Sequence, residues 1–383
     1  MALTASPRRR DLGRDRQVLW HHLDVGLIGI VLTISLIGVV VVFSATRGPA
    51  TDLDPVDTSF VSRQVLFLLV AVAAMAVTAA FDYRRLRSLV PVAYGGLIVL
   101  LVGVLLVAPT INGIQAWYQV GGVQIQPSEF GKVILIVTLA AYFSAVSDVD
   151  IRRLAVGLVI AGVPMLLIYR QPDLGTILVY VAVTAGIVLL SGVRPRHLAA
   201  VLLGALLLIG AGLASNQLET YQLARFSAFL DETPEDEAGQ NARFNVEQAQ
   251  IAIGNGGLTG TGLFEGSQTR SELVSEQQTD FIFTVVAEEL GFAGSATLLA
   301  LFALLLMRIW RIAQVAQDMF GALICMGVFS MLLFHVFQSV GMTLGMMPVT
   351  GIPLPFVSYG GSSLIAMFVA VGLVLNVNMH RYS

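Results

Sequence analysis

The sequence predicts an all-α polytopic membrane protein, with about ten transmembrane helices and one large extracytoplasmic loop. Three observations predict it. Apolar residues make up 56% of the 383 residues and charged residues only 12%, whereas a soluble domain keeps about a quarter of its residues charged. Mean hydropathy is +0.80. The apolar residues also gather into ten runs, each near the roughly 20 residues that a spanning helix needs. The runs are 24–45, 64–81, 89–108, 129–146, 154–169, 174–192, 197–215, 281–307, 319–345 and 361–379. The first is too long for a signal-peptide core and has no small-residue cleavage signature, so it reads as an anchor. The expected organisation is a cytoplasmic tail over 1–23, one membrane domain over 24–379 that includes the large loop 216–280, and a short cytoplasmic tail over 380–383. No internal repeat is visible. The balance of 22 basic and 25 acidic residues, with no basic aromatic patch, points to no nucleic-acid partner. The single cysteine, Cys325, lies in an apolar run, which excludes an internal disulfide and reads as core filling.

Orientation follows from the arginines, which favour the cytoplasmic side of a membrane protein. The N-terminal tail carries Arg8, Arg9, Arg10, Arg14 and Arg16. Alternate loops carry Arg84, Arg85 and Arg87; Arg152 and Arg153; Arg194 and Arg196; Arg308 and Arg311; Arg381 closes the chain. Fifteen of the 22 basic residues thus share one face, and both termini are expected inside. The tail arginines can also attract anionic membrane lipids, although a topology signal alone explains them. The elaborate polar sequence falls on the outer face. No ATP is available there and no nucleotide-binding loop occurs in the chain. An enzyme on that face needs a substrate that arrives already activated, and membrane-borne sugar diphosphates are such substrates.

The outer segments, taken in order, carry the chemistry. In Gln126-Pro127-Ser128-Glu129-Phe130-Gly131-Lys132, Pro127 and Ser128 can open a helix, with Ser128 as its N-cap. Glu129 and Lys132, three apart, share its first turn. A lysine there opposes the macrodipole and needs a carboxylate or phosphate partner. The residues leave open whether the pair binds substrate or only anchors the helix. Around Pro172, Arg170 and Asp173 place opposite charges at another outer helix start, a pattern typical of an ion-paired turn. Tyr221 to Leu230 reads as an amphipathic piece on the membrane surface whose Arg225 can reach an anionic headgroup. The acidic stretch Asp231 to Gly239 reads as solvated, and the glycines between Gly254 and Gly262 would let backbone amides approach a ligand.

Asp280 sits where the large loop meets the next apolar helix, a part-desolvated carboxylate whose basicity can be tuned. Glu288 and Glu289 lie about 12 to 14 Å deeper along that helix, as hydrogen-bonded glue or as transport groups. The stretch from Met346 to Ser363 holds three prolines and three glycines, which forbid a regular helix. Irregular backbone at that depth must be buried in protein or line a wet cavity. Ser358 and Tyr359 are its candidate substrate contacts.

These segments, in this order, resemble the SEDS family (shape, elongation, division, sporulation), the polymerases that build bacterial peptidoglycan strands. The similarity runs from about Asn112 to Asn376. It rests on Gln126–Lys132, Thr279–Phe283 and Pro348–Ser363 together, and the last is more like the elongation member, RodA, than the division member, FtsW. The resemblance implies a glycosyltransferase that polymerises lipid II on the outer membrane face during cell elongation and shape maintenance. Asp280 matches the family's essential aspartate, Glu129 and Lys132 its Gln-Pro-Ser-Glu-Phe-x-Lys motif, Asp173 its Gln-Pro-Asp-Leu-Gly motif, and Arg225 the basic position before a Phe-Leu pair. The implied partners are lipid II, the nascent lipid-linked glycan and a class B penicillin-binding protein that crosslinks the strands. Three positions depart from the family: Gln115, where relatives carry arginine before the tryptophan; Thr261, where many carry lysine; and Ser275, where proline is usual. The two missing cations shift the holding of the diphosphate to Lys132, Arg225 or a divalent metal, Mg²⁺ or Mn²⁺. In the mechanism this implies, Asp280 takes the proton of the acceptor hydroxyl as it attacks the donor's anomeric carbon. The rival readings are a lipid II flippase, kept alive by Glu288 and Glu289, a division or sporulation polymerase of the FtsW type, and a scaffold for the transpeptidase.

Overall fold

Nine of the ten apolar runs lie among the described residues, and all nine fold as helices. The computed structural model describes residues 23–47, 58–110, 114–146, 148–197, 199, 237–271 and 273–381. The run at 197–215 lies outside the described residues save at its very start, as do the N-terminal tail and Arg225. The helices are α1 (Val25–Ala45), α2 (Ser59–Ala80), α3 (Leu86–Val107, entered by a 3-10 turn at Tyr83–Arg85), α4 (Pro127–Phe143), α5 (Ile151–Tyr169) and α6 (Leu174–Leu190). They continue with α7 (Glu237–Gly256), the single turn α8 (Ser267–Arg270), α9 (Ile282–Gln314), α10 (Met319–Thr343) and α11 (Gly361–Met379). Among the described residues, seven helices are long and apolar enough to cross a membrane. The chain is a multi-pass membrane protein.

Carboxylates start several of these helices. Asp24, Asp150, Asp173 and Asp318 each accept a hydrogen bond from the backbone three residues on, at 2.7–2.9 Å. Such caps satisfy amides that the helix leaves orphaned. α4 starts differently. Pro127 occupies its first position behind Gln126, so Ser128 is not the N-cap expected for it. The ring's fixed φ sets the start, which leaves the Ser128 hydroxyl buried one residue inside. α9 outruns its apolar stretch, continuing past Arg308 and Arg311. A cation in the last turn suits the negative helix end, and Arg308 also pairs with Asp24 at 2.7 Å.

α10 and α11 form the centre of the bundle, α11 against α2 and α10 between α6 and α9. α3 and α5 lie outside and expose Val92, Val99, Leu106, Val159 and Leu166. Asn376 of α11 is fully buried; its amide donates to the Ala79 carbonyl at 2.7 Å and its oxygen accepts from the Tyr83 amide at 3.1 Å. It thereby closes the end of α2. The arginine-bearing loops meet at this one end. Tyr83 donates to Asp318, Arg84 reaches Gln317 and the His380 carbonyl, Arg87 reaches Ser144, and Arg194 pairs with Asp148.

Two elements were not expected from the sequence. A hairpin pairs β1 (Tyr118–Val120) with β2 (Val123–Ile125), Val120 opposite Val123. Gly121 and Gly122 form its turn, with φ of 57° and 80°, as a tight primed turn requires. α7 is the other. Its first residues belong to the acidic stretch expected to be solvated, and it packs against α9. Among its described residues the buried ones are all small, Gly239, Ala249, Ala252 and Gly256, with Val246 partly buried, so no apolar stripe announces it.

Candidate active site

Four of the polar segments converge at the end opposite those arginine-bearing loops, and the irregular stretch 346–360 is their hub. Its prolines cannot donate, and two of its carbonyls within the bundle take their partners from another helix. α10 supplies both from one face. Gln338 Nε2 donates to the Pro348 carbonyl at 2.9 Å, and one turn earlier His335 Nδ1 meets the Pro353 carbonyl at 3.2 Å. On a second side, the start of α6 presses so closely that a Cβ on Gly175 would stand 2.5 Å from the Thr350 carbonyl oxygen.

The Asp280 loop is fastened to the third side. Ser358 Oγ donates to the Thr279 carbonyl at 2.6 Å and accepts from the Leu354 amide at 2.9 Å. The Tyr359 amide donates to the Gln278 carbonyl at 2.9 Å. Gln277, 4% exposed, donates to the carbonyls of Ala45 and Thr269, closing the end of α1. Held at 277, 278 and 279, the chain delivers Asp280 just before Phe281, the N-cap of α9. There its charge stands beside the positive end of the helix. A Cβ on Gly351 would stand 3.3 Å from Asp280 Oδ2, so the carboxylate lies against the hub at a point where φ is 73° and glycine is favoured. Asp280 is partly exposed.

The fourth side is the start of α4. Lys132 Nζ lies 2.7 Å from Glu129 Oε1, with Lys132 1% and Glu129 5% exposed. Nζ also lies 3.2 Å from His335 Nε2. Gln126 Nε2 donates to Asp173 Oδ2 at 3.0 Å, and Ser362 Oγ receives the Gln126 amide and donates to Gln124, tying α4, α6 and α11 together.

The ion pair expected between Arg170 and Asp173 is absent among the described residues. The Asp173 carboxylate is instead taken up by the Thr176 amide and hydroxyl and by Gln126. Desolvation pushes the Asp173 carboxyl up from its usual range, against the lowering effect of the Thr176 donors. Ser358, whose hydroxyl donates and accepts within the protein, works as a latch for the Asp280 loop. The Tyr359 ring packs edge-on to Phe60 at 5.2 Å. The residues that complete the hub and were not singled out from the sequence are His335, Gln338, Gln126 and Ser362. Gln126 and Ser362 lie at the ends of marked segments, and the signal for His335 was a histidine inside an apolar run.

The glycines between 254 and 262 do not cradle a ligand. α9 breaks at Gly291, where φ is 64°, and the glycine segment plugs the break. The Thr261 and Gly262 amides donate to the Glu288 and Glu289 carbonyls, and the Phe292 and Ala293 amides donate back to Gly257 and Leu258, all at 2.9–3.1 Å. A Cβ on Gly256, Gly260 or Gly291 would collide with backbone. Thr261, where a lysine was expected, adds its hydroxyl to the Glu288 carbonyl at 3.2 Å. Gln115, at the other departure, donates to the Ala108 carbonyl beyond α3 at 2.7 Å. The Glu288 carboxylate is likewise spoken for. It accepts from the amides of Gln268 and Thr269 and from the Thr269 hydroxyl at 2.7–2.9 Å, while Ser44 donates to Glu289. These two acids hold α8 and α1 to α9, Glu289 through Oε1 alone, since its Oε2 is buried without a hydrogen bond. Among the described residues, no group of three or more His, Cys, Asp or Glu side chains could hold a metal ion.

The chain is similar to known proteins over nearly its whole length. A family model for FtsW, RodA and SpoVE, described as cell cycle proteins, matches residues 25–383. The peptidoglycan glycosyltransferase MrdB of Escherichia coli K12 is 34% identical, over 96% of this chain and 97% of that one. The stage V sporulation protein E of Bacillus subtilis 168 is 38% identical, over 94% and 97%. A solved structure on the coordination of polymerization and crosslinking by a peptidoglycan synthase complex superposes with a TM-score of 0.79 at 33% identity, covering 94% of this chain and 99% of that one.

Proposed function

The chain belongs to the FtsW, RodA and SpoVE family, and from that premise we propose the course of its reaction and the residues that carry it. The enzyme is a peptidoglycan glycosyltransferase. Its substrate in this reading is lipid II, joined to a growing lipid-linked glycan on the outer face of the cytoplasmic membrane. The observation that carries the reading is the Asp280 carboxylate, lying against Gly351 where four polar segments meet, at the end away from the arginines. Positive-inside orientation puts that end outside, with both termini in the cytoplasm.

The growing glycan, attached through its anomeric carbon to a lipid diphosphate, is the donor. Lipid II offers a sugar 4-hydroxyl. That oxygen forms the new bond to the anomeric carbon as the bond to the diphosphate oxygen breaks, and its proton passes to Asp280. General-base help of this kind is worth about 10²–10⁴-fold. The lipid diphosphate leaves with the bonding electron pair, and donors aimed at the developing charge contribute most. Lys132 has three N–H donors; Glu129 and His335 engage two of them. The third is the one proposed to serve the diphosphate, with Arg225 as a surface contact to the headgroup. Because the Glu129–Lys132 pair is neutral as a whole, its contribution is a fixed dipole. Among the described residues, a Mg²⁺ or Mn²⁺ ion would be held by one or two carboxylates and shared with the substrate phosphates; no step is derived through it. Asp173 and Ser358 hold the walls of the site, and Tyr359 is the proposed apolar contact to the sugar or lipid.

A class B penicillin-binding protein, crosslinking the strands as they emerge, is the proposed partner. The similarity to a protein in a peptidoglycan synthase complex supports a partnership of that kind. Cell elongation is the proposed setting, supported by the 348–355 segment; overall identity, 34% to MrdB and 38% to stage V sporulation protein E, does not separate the roles. The test is Asp280→Asn, assayed for lipid II polymerisation in detergent with the partner present. Loss of polymer by about two orders of magnitude or more is expected. Activity within about threefold of the parent removes Asp280 from the chemistry.

A further inference from the structure

We infer that His335 is a positioning residue that fixes Lys132 in the glycosyltransferase site and joins it to the loop beside Asp280. The inference deepens the reading above and rests on the role given there to Lys132.

The argument begins with hydrogen-bond valence. A carbonyl oxygen only accepts, so the 3.2 Å contact between His335 Nδ1 and the Pro353 oxygen puts the ring proton on Nδ1. Nε2 then offers a lone pair, and the group facing it at 3.2 Å is the Lys132 ammonium, which only donates. The two contacts agree on one neutral tautomer; a doubly protonated ring would set N–H against ammonium. His335 and Lys132 are each 1% exposed, so the contact between them is shielded from bulk water.

Geometry gives this pair its consequence. Lys132 stands in the first turns of α4, where the macrodipole opposes it and where Glu129 alone would leave its side chain free to swing about one contact. A second, angled acceptor from α10 removes that freedom and leaves one N–H direction unspent. The same imidazole grips Pro353, two residues from Gly351, against which the Asp280 carboxylate lies. One ring therefore sets the cation proposed for the leaving diphosphate relative to the proposed base. Preorganisation of that kind is what a site with a buried donor requires.

The two nitrogens can be tested apart. His335→Asn keeps a donor near the Nδ1 position for Pro353 but cannot reach Lys132. His335→Gln places its amide oxygen near the Nε2 position and keeps the acceptor. Both are assayed in the full-length protein with its partner on labelled lipid II, with thermal unfolding in detergent measured alongside. His335→Asn is expected to lower kcat/KM about 10- to 100-fold, the loss of a hydrogen bond to a charged donor, while His335→Gln, which keeps the acceptor for Lys132 but gives up Pro353, is expected to lose only about 2- to 10-fold, the loss of a neutral hydrogen bond. In a Lys132→Gln background, His335→Asn is expected to add nothing further. Wild-type turnover by His335→Asn overturns the inference. So does a further loss on top of Lys132→Gln, or failure of the Gln variant in step with its unfolding temperature. Full activity of Lys132→Gln alone would instead remove the Lys132 reading, and that arm reports it separately.

Discussion

Removing the Lys132 ammonium should damage the protein twice, and the two injuries can be separated. In the single variant Lys132→Met, Glu129 is left 5% exposed and without its cation. Its other oxygen, Oε2, is buried with no hydrogen bond, so the carboxylate has no second support. Breaking a buried pair on one side costs about 3–5 kcal/mol. His335 Nε2 also loses its donor, which adds about 1–3 kcal/mol for an unsatisfied buried acceptor. Adding Glu129→Gln removes the stranded charge but not the stranded imidazole, so the double variant should sit only about 1–3 kcal/mol below the parent. The coupling between the two positions is then about 3 kcal/mol or more, well above the few tenths expected of independent sites. Denaturant or thermal unfolding in detergent reads the stability cycle, and lipid II polymerisation reads the activity. The double variant should recover stability and stay inactive. Strictly additive losses would refute the mutual dependence of the pair, and recovered polymerisation would refute the role of Lys132.

Other perturbations follow from the same geometry. Ser358→Ala strands the Leu354 amide and the Thr279 carbonyl, so about 1–3 kcal/mol of stability should go; hydrogen exchange should rise at 277–281, and turnover should fall with it. Gly260→Ala places a Cβ against the Glu289 carbonyl at φ 85° and should prevent accumulation of folded protein, whereas Gly254→Ala, in open space within α7, should be neutral or gain about 1 kcal/mol. Asp173 has its folded pKa raised by desolvation, so the folded protein binds the proton more tightly than the unfolded chain. Its contribution to stability therefore falls as pH rises from the unfolded value near 3.9 through the raised one. Asp173→Asn, which keeps an N-cap oxygen, should flatten that part of the unfolding-temperature profile.

The sequence made the membrane helices legible because a spanning segment must be apolar over its full length. It also marked the outer segments, because proline, glycine and charge are costly there and stand out. What it could not show was which partner each polar group would choose. Arg170 and Asp173 share a turn, yet Asp173 caps α6 and receives Gln126, a residue 47 positions earlier. The glycines before Gly262 suggested a ligand cradle but fill a break in α9 that lies some 30 residues on. α7 carries no broad apolar stripe because small residues, Ala249, Ala252 and Gly256, let it approach α9 closely. His335 looked like one more residue of an apolar run until Pro353 and Lys132 came to its two nitrogens.

The most direct measurement uses sealed proteoliposomes in which labelled lipid II is accessible on one face at a time. Polymer should form when the substrate faces the side opposite the arginine-rich loops, and Asp280→Asn should abolish it on that side. Polymer made only from the arginine side, or made by the Asp280→Asn protein at near the parent rate, would contradict the account.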